Sequence, residues 1–201
     1  MDVSTLCIGC LELRQTTPVC DRCGWDDRTE PPLPLALPHR TVLGEQYVFG
    51  RVLGHGGFGI TYLAHDLNLN LKVAIKEYLP GEAATRSTDR VTVMPYTGHR
   101  ETFDYGLTSF LDEARALARF HDHPNIVTVL NFFRAHGTGY LVMSYVPGRT
   151  LKEFLDTQRG VLPFRTAARV MLPVMDALRA VHAVNLLHRD ISPDNIYLTT
   201  S

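Results

Sequence analysis

The chain has no run of about 18 consecutive apolar residues, so no segment of it is expected to cross a bilayer as a helix. It has no surplus of either charge: 20 Lys and Arg stand against 21 Asp and Glu, a net charge of −1. That balance leaves out the basic footprint of a nucleic-acid binder, and no nucleic acid is expected as a partner. The opening, MDVSTLCIGC, lacks a basic segment followed by an apolar stretch, which argues against a secretory leader and for a cytoplasmic, reducing location. There is no internal repeat, and no cysteine after residue 23, so disulfides cannot staple the bulk of the fold. What is present is an ordinary globular composition, 45% hydrophobic and 20% charged, enough for a small module and one larger domain.

The cysteines mark the first boundary. Cys7-x2-Cys10 and Cys20-x2-Cys23 are two CxxC pairs nine residues apart, each able to offer two thiolates from one tight turn. Four thiolates at about 2.3 Å around a tetrahedral zinc ion is the expected arrangement. Two disulfides would need an oxidising compartment, and a redox CxxC would need a thioredoxin-like βαβ context that neither pair has. A segment this short with few apolar groups buries no core of its own, so the metal is expected to supply its folding energy. Residues 1–30 carry Asp2, Glu12, Asp21, Asp26, Asp27 and Glu30 against three arginines, which disfavours phosphate backbones and favours a protein-interaction or structural role. Trp25, beside the second pair, is either a contact residue or the module's own packing. The organisation expected is a four-cysteine module over 1–27, a stiff linker over 28–43 with four prolines between Pro31 and Pro38, and an α+β unit over 44–201.

In that unit, Tyr47–Leu53 and Ile60–His65 are β-rich and flank a glycine turn, GHGGFG. Gly54, Gly56 and Gly59 fit G-x-G-x-x-G, a pattern shared with dinucleotide folds. There the third glycine opens a helix; here Gly59 opens ITYLAH, a strand. A strand–glycine–strand hairpin lays bare backbone over a triphosphate. Leu71–Lys76 follows as a third strand and contains Val73-Ala74-Ile75-Lys76. A lysine so placed calls for a carboxylate partner. Phe103, Leu107, Phe110, Leu111, Ala114, Leu117 and Ala118 recur with a helical period, and Glu113 rather than Asp112 is the candidate on that helix. The connection EYLPGEAATRSTDRVTVMPYTGH is longer and more polar than a bare link requires, and no function is assigned to it. Near the C-terminal end, His188-Arg189-Asp190 with Asn195 five residues beyond the aspartate is the pattern of a phosphoryl-transfer catalytic loop.

With HPNIV at 123–127 and YLVMSYVPG at 140–148, these motifs resemble, in order and spacing, the eukaryotic-like protein kinase family in its bacterial serine/threonine form, preceded by a zinc-ribbon-like module. The resemblance runs from about Tyr47 to Ser201. It implies an antiparallel sheet with one helix as small lobe, followed by the first part of a helical large lobe. It further implies that Gly54, Gly56 and Gly59 cover the phosphates of ATP, and that Lys76, paired to Glu113, contacts them. Leu53, Ala74 and Tyr197 sandwich the base, with Thr61 in place of the usual valine above it. Met143 is the gatekeeper, and backbone groups of Tyr145 and Val146 bond the adenine edge. Asp190 takes the proton of a substrate Ser or Thr hydroxyl, and Asn195 holds Mg²⁺. The segment 164–184 has the apolar period of a long buried helix, which Pro173 should kink or mark for remodelling.

Some positions depart from the family. Ser192 stands where a lysine usually neutralises the γ-phosphate, and Ser144 replaces a hinge glutamate. No Asp-Phe-Gly follows Asn195, so the second metal ligand is absent from these residues. The chain alone is expected to be inactive and marginally stable, with an exposed apolar face on the long helix. Three functions follow: the front part of a serine/threonine kinase, a half-kinase that binds nucleotide or a partner without chemistry, or an interaction protein whose zinc module does the binding.

Overall fold

A computed structural model describes residues 3–14, 17–29, 31, 33–158, 160–188 and 190–199. Asp2, Glu30, Pro32, Arg189 and Ser201 lie outside the described residues. The chain divides into two compact units, Met1–Ala118 with Val129–Tyr145, and Arg119–Thr128 with Val146–Ser201.

The first unit is built on a six-stranded antiparallel sheet. Its strands are β1 (Val42–Leu43), β2 (Tyr47–Gly56), β3 (Gly59–Asp66), β4 (Leu71–Tyr78), β7 (Val129–Ala135) and β8 (Thr138–Ser144), in the order β1-β2-β3-β4-β8-β7. A hairpin of β5 (Ala84–Arg86) and β6 (Val93–Pro95) and the helix α1 (Arg100–Leu117) fall between β4 and β7. The residues joining β7 to β8, His136 and Gly137, have φ of 47° and 75°, the left-handed pair that a two-residue hairpin turn requires. α1 is the helix read from the apolar period, and it buries Phe103, Leu107, Phe110, Leu111 and Ala114.

Side chains on a strand alternate between faces. In β4, Ala74 and Lys76 are half-buried while Val73, Ile75 and Glu77 are buried. The Lys76 face receives α1 through Tyr78, whose ring lies 5.2 Å from that of Phe103 and 5.6 Å from that of Phe110. The opposite face would expose Tyr62, Ile75 and Val142 if left open. It is covered by the segment expected to be a stiff, extended linker: Ala36 and Leu37 are buried in the same cluster as those three residues. Leu37 N–H donates to Tyr62 Oη at 3.1 Å. Burying Leu37 stabilises the fold by about 2 kcal/mol, and the partly buried Leu33 and Leu35 add to it, which outweighs the extended bias of the neighbouring prolines.

The second unit contains β9 (Gly148–Thr150), α2 (Leu151–Thr157), α3 (Phe164–Ala183) and β10 (Tyr197–Thr199), with β10 paired antiparallel to β9. α2 starts at a capping box: Thr150 Oγ1 accepts from Glu153 N–H, and the Glu153 carboxylate accepts from Thr150 N–H at 2.8 Å. α3 runs without interruption through Pro173. It buries Val181 but leaves Phe164, Leu172 and Met175 exposed within this unit. No helix among the described residues is long and apolar enough to cross a membrane.

Candidate functional site

The two CxxC segments fold alike. Leu11 N–H returns to Cys7 O at 2.7 Å and Gly24 N–H to Cys20 O at 2.8 Å. The residue after each second cysteine is left-handed, with φ of 54° at Leu11 and 71° at Gly24. Leucine tolerates that backbone poorly, but its side chain is only 2% exposed and packs at Gly50. The four Sγ atoms lie within 4.8 Å of one another, with Cys7–Cys23 at 3.6 Å and Cys10–Cys20 at 3.9 Å. A disulfide would bring sulfurs to about 2.05 Å, whereas four thiolates on one zinc stand about 3.8 Å apart, from the tetrahedral angle and a bond of about 2.3 Å. The donor set therefore fits zinc. Burial pushes the Cys7 thiol up to about 12, while a Cys23 backbone N–H holds Cys20 down to about 7. A cation would draw all four into the thiolate form.

This segment has a core after all, shared with the sheet. Leu6, Ile8 and Leu11 are buried. β2 shifts register between Phe49 and Val52, and such a bulge releases a backbone group from the ladder. Arg51 N–H uses that freedom to donate to Ile8 O at 3.0 Å, and Arg51 Nε donates to Gly9 O at 2.9 Å. Arg40 meets Asp27 at 2.7 Å and Lys72 meets Glu12 at 2.6 Å. Two of the segment's acidic groups thus bind the adjoining lobe. Trp25 packs on Gly9 and edge-on to His39, with ring centroids 5.8 Å apart, so packing accounts for it.

On the sheet, cross-strand register gathers the nucleotide-site candidates of the first unit. Gly54 pairs with Thr61, and Thr61 with Lys76. Leu63 pairs with Ala74, and Ala74 with Met143. Thr61, Ala74, Lys76 and Met143 are therefore half-buried on one face. Leu53 occupies a second bulge, between Val52 and Gly54. The glycines divide in their reasons. A Cβ on Gly54 or Gly56 would meet nothing within 4 Å, whereas one on Gly59 would lie 1.9 Å from Glu77 O. Gly59→Ala is expected to cost about 2–3 kcal/mol in chemical denaturation, and Gly56→Ala under about 1 kcal/mol. Equal costs would refute this division.

Lys76 and Glu113 are not brought together. Glu113 is exposed on α1, and no ion pair joins it to Lys76 among the described residues. Asp112, its neighbour, is paired with Arg115. Tyr145 is half-buried and Val146 exposed, and the boundary between the two units falls between them.

In the second unit, Asn195 Nδ2 donates to Asp190 O at 3.0 Å and to Asp190 Oδ2 at 2.9 Å. Both partners are acceptors, so the amide nitrogen must face them, which leaves Asn195 Oδ1 and Asp190 Oδ1 outside these bonds. Asn195 N–H donates to Ser192 O at 3.0 Å, closing the loop on itself. Tyr197, on β10, donates from its hydroxyl to Gly148 O at 3.0 Å. Missed from sequence were β7, the β5–β6 hairpin and α2; the Thr-x-x-Glu box at 150–153 was a legible signal for the last.

A family model described as protein kinase domain matches residues 47–201. The chain is 33% identical over 153 residues to the serine/threonine-protein kinase PrkC of Bacillus subtilis, covering 76% of this chain and 20% of that protein. It is 33% identical over 167 residues to the serine/threonine-protein kinase PksC of Streptomyces coelicolor, covering 80% and 27%. Among solved structures it is similar to the apo form of PpkA-294, with a TM-score of 0.75 and 37% identity over 83% of this chain and 58% of that one. The chain thus spans about a fifth to a quarter of the length of these two curated relatives.

Proposed function

The chain belongs to the protein kinase domain family, and from that premise we propose that it binds magnesium-ATP and carries the front part of the machinery that transfers the γ-phosphate to a Ser or Thr hydroxyl of a protein. The observation that carries this is the cross-strand row Gly54–Thr61–Lys76 beside Ala74–Met143 on one half-buried sheet face. Gly54 and Gly56 offer unobstructed backbone for phosphates, and Lys76 offers a cation two residues along β4 from Ala74, which would lie against the base with Leu53. Met143 would bound the base pocket, and Tyr145 would supply backbone groups to its edge.

Asp190 is the proposed proton acceptor. With Oδ2 held by Asn195, Oδ1 is left to meet the substrate hydroxyl. Asn195 Oδ1, turned away from that bond, is the proposed Mg²⁺ ligand; the metal, when bound, neutralises charge on the transferring phosphate. The Lys76–Glu113 pair is open here, so closing it belongs to the activation this reading requires. Intact Asp190 and Asn195 favour chemistry over nucleotide binding alone. Cys7, Cys10, Cys20 and Cys23 are proposed to hold one structural zinc ion, supported by their sulfur spacing.

Calorimetric titration of the 201-residue chain tests the nucleotide reading. Magnesium-ATP is expected to bind, and Lys76→Met to weaken it about tenfold while adenosine affinity stays unchanged, the size of one lost charge-assisted contact. A wild-type chain that does not bind magnesium-ATP would overturn it.

A further inference from the structure

Glu77, next to the proposed phosphate-binding lysine, is fully buried at 0% exposure and faces an almost equally buried arginine, Arg86, from the β5–β6 hairpin. Arg86 grips it with both nitrogens of its fork: Nη2 to Oε2 at 2.6 Å and Nη1 to Oε1 at 3.1 Å. Tyr140 on β8 donates to Oε1 at 2.8 Å, and Tyr62 on β3 donates to Oε2 at 3.1 Å. Each carboxylate oxygen thus accepts two bonds. The rest of the guanidinium is used as well, with Nε donating to Leu35 O and Nη1 to Val91 O, each at 2.8 Å. Burial first, and then the Glu77 carboxylate, push both tyrosine hydroxyls up, so they stay protonated donors at neutral pH.

We propose that the Glu77–Arg86 pair is a positioning device for Lys76, holding β4 by its buried face so that the opposite face presents the lysine at a fixed place to the nucleotide phosphates. The proposal rests on the nucleotide-binding reading above. A buried ion pair contributes little net stability and is often replaceable by apolar side chains; what this one adds is geometric. Its donors come from both strands that flank β4, and its arginine also ties the covering segment at Leu35 and the hairpin at Val91. Lys76 and Glu77 are consecutive, so they point to opposite faces. A one-residue slip of β4 would turn Lys76 inward and Glu77 outward, and the network forbids that slip at the residue following the lysine. The long connection after Lys76 thereby has a role, because it delivers Arg86.

The test compares magnesium-ATP with adenosine, which lacks the phosphates, on the 201-residue chain. Arg86→Lys keeps the charge but loses the fork. Glu77→Gln/Arg86→Met removes both charges together, avoiding an orphaned buried carboxylate. The positioning role is expected to leave adenosine affinity unchanged in both variants and to weaken magnesium-ATP about tenfold, the size of one charge-assisted contact, even where the unfolding midpoint equals wild type. Faster deuterium exchange across Lys72–Tyr78 should accompany the loss. Folded variants that keep the wild-type ratio of the two affinities would overturn the inference, and so would failure of both variants to fold, since the pair would then be structural alone. A wild-type chain that itself fails to favour magnesium-ATP over adenosine would overturn the nucleotide reading instead, and the inference with it.

Discussion

Stripping the zinc ion proposed for the four-cysteine cluster is expected to melt the first strands of the sheet together with the cysteine segment, lowering the unfolding midpoint of that unit by more than about 10 °C. The reasoning starts from size. An isolated zinc knuckle draws roughly 10–16 kcal/mol of apparent folding energy from its ion, and fewer than thirty residues cannot replace it. Here the consequence spreads, because the segment's apolar side chains are not its own affair. Leu6, Ile8 and Leu11 are buried, a Cβ on Gly50 would lie 2.7 Å from Ile8 O, and the bulged Arg51 N–H has Ile8 O as its partner. Unfolding this segment exposes those side chains, orphans Arg51 N–H and releases Arg40 and Lys72 from Asp27 and Glu12. A loss of only about 4 kcal/mol shifts the midpoint of a domain this size by roughly 8–16 °C. The sign of the pH dependence follows from ligand chemistry: zinc needs four thiolates, so its contribution is present at neutral and higher pH and is lost as protons compete on acidification. One zinc per chain by elemental analysis, and melting before and after chelation, are the measurements. Cys10→Ser should reproduce the chelated state. A chain purified without metal, or an unchanged midpoint after its removal, would refute the prediction.

The strands that carry the nucleotide-site candidates were legible because their signals are local. Tyr47–Leu53, Ile60–His65 and Leu71–Lys76 are rich in β-branched and aromatic residues, and glycine spacing fixes the hairpin between the first two. α1 repeats its apolar residues over eighteen positions, long enough for the period to be plain. The cover on the other face was not legible. Leu33, Leu35, Ala36 and Leu37 are interspersed with prolines, and the composition of that stretch matches an exposed spacer; only the sheet beneath shows why it packs. One clue was available. β3 is apolar at nearly every position from Ile60 to Ala64, which implies burial on both faces, and α1 can cover only one.

The Glu77–Arg86 pair escaped detection for another reason. A glutamate after a lysine reads as a solvated end of strand, and its partner lies nine residues away on a strand of three, too short for any period. The Lys76–Glu113 pair is a different matter again: sequence named two residues able to pair, but Glu113 is exposed on α1 and makes no ion pair with Lys76 among the described residues.

Replacing Asp190 by Asn is expected to lower phosphoryl transfer by roughly 10²–10⁴-fold while leaving magnesium-ATP affinity near wild type. The carboxylate is proposed to touch only the substrate hydroxyl: Oδ2 is engaged by Asn195 Nδ2 at 2.9 Å, and the backbone carbonyl of Asp190 takes the same amide at 3.0 Å. Asn at 190 preserves shape and a bond to Asn195 but offers no base. Asn195→Ala should behave differently. It removes the proposed metal ligand and also frees the Asp190 side chain, so both nucleotide affinity and rate should fall. The pair of variants thus separates proton acceptance from metal binding within one loop. Ser192 would make the contrast sharper: with no cation at that position, the proposed metal would have to neutralise more of the γ-phosphate charge. The measurement is transfer of labelled γ-phosphate to a protein substrate by the complete product of the gene, with nucleotide affinity measured alongside. Retention of more than about a tenth of the wild-type rate by Asp190→Asn would remove the aspartate from the proposed role, because general-base catalysis is worth at least about 10²-fold where it operates.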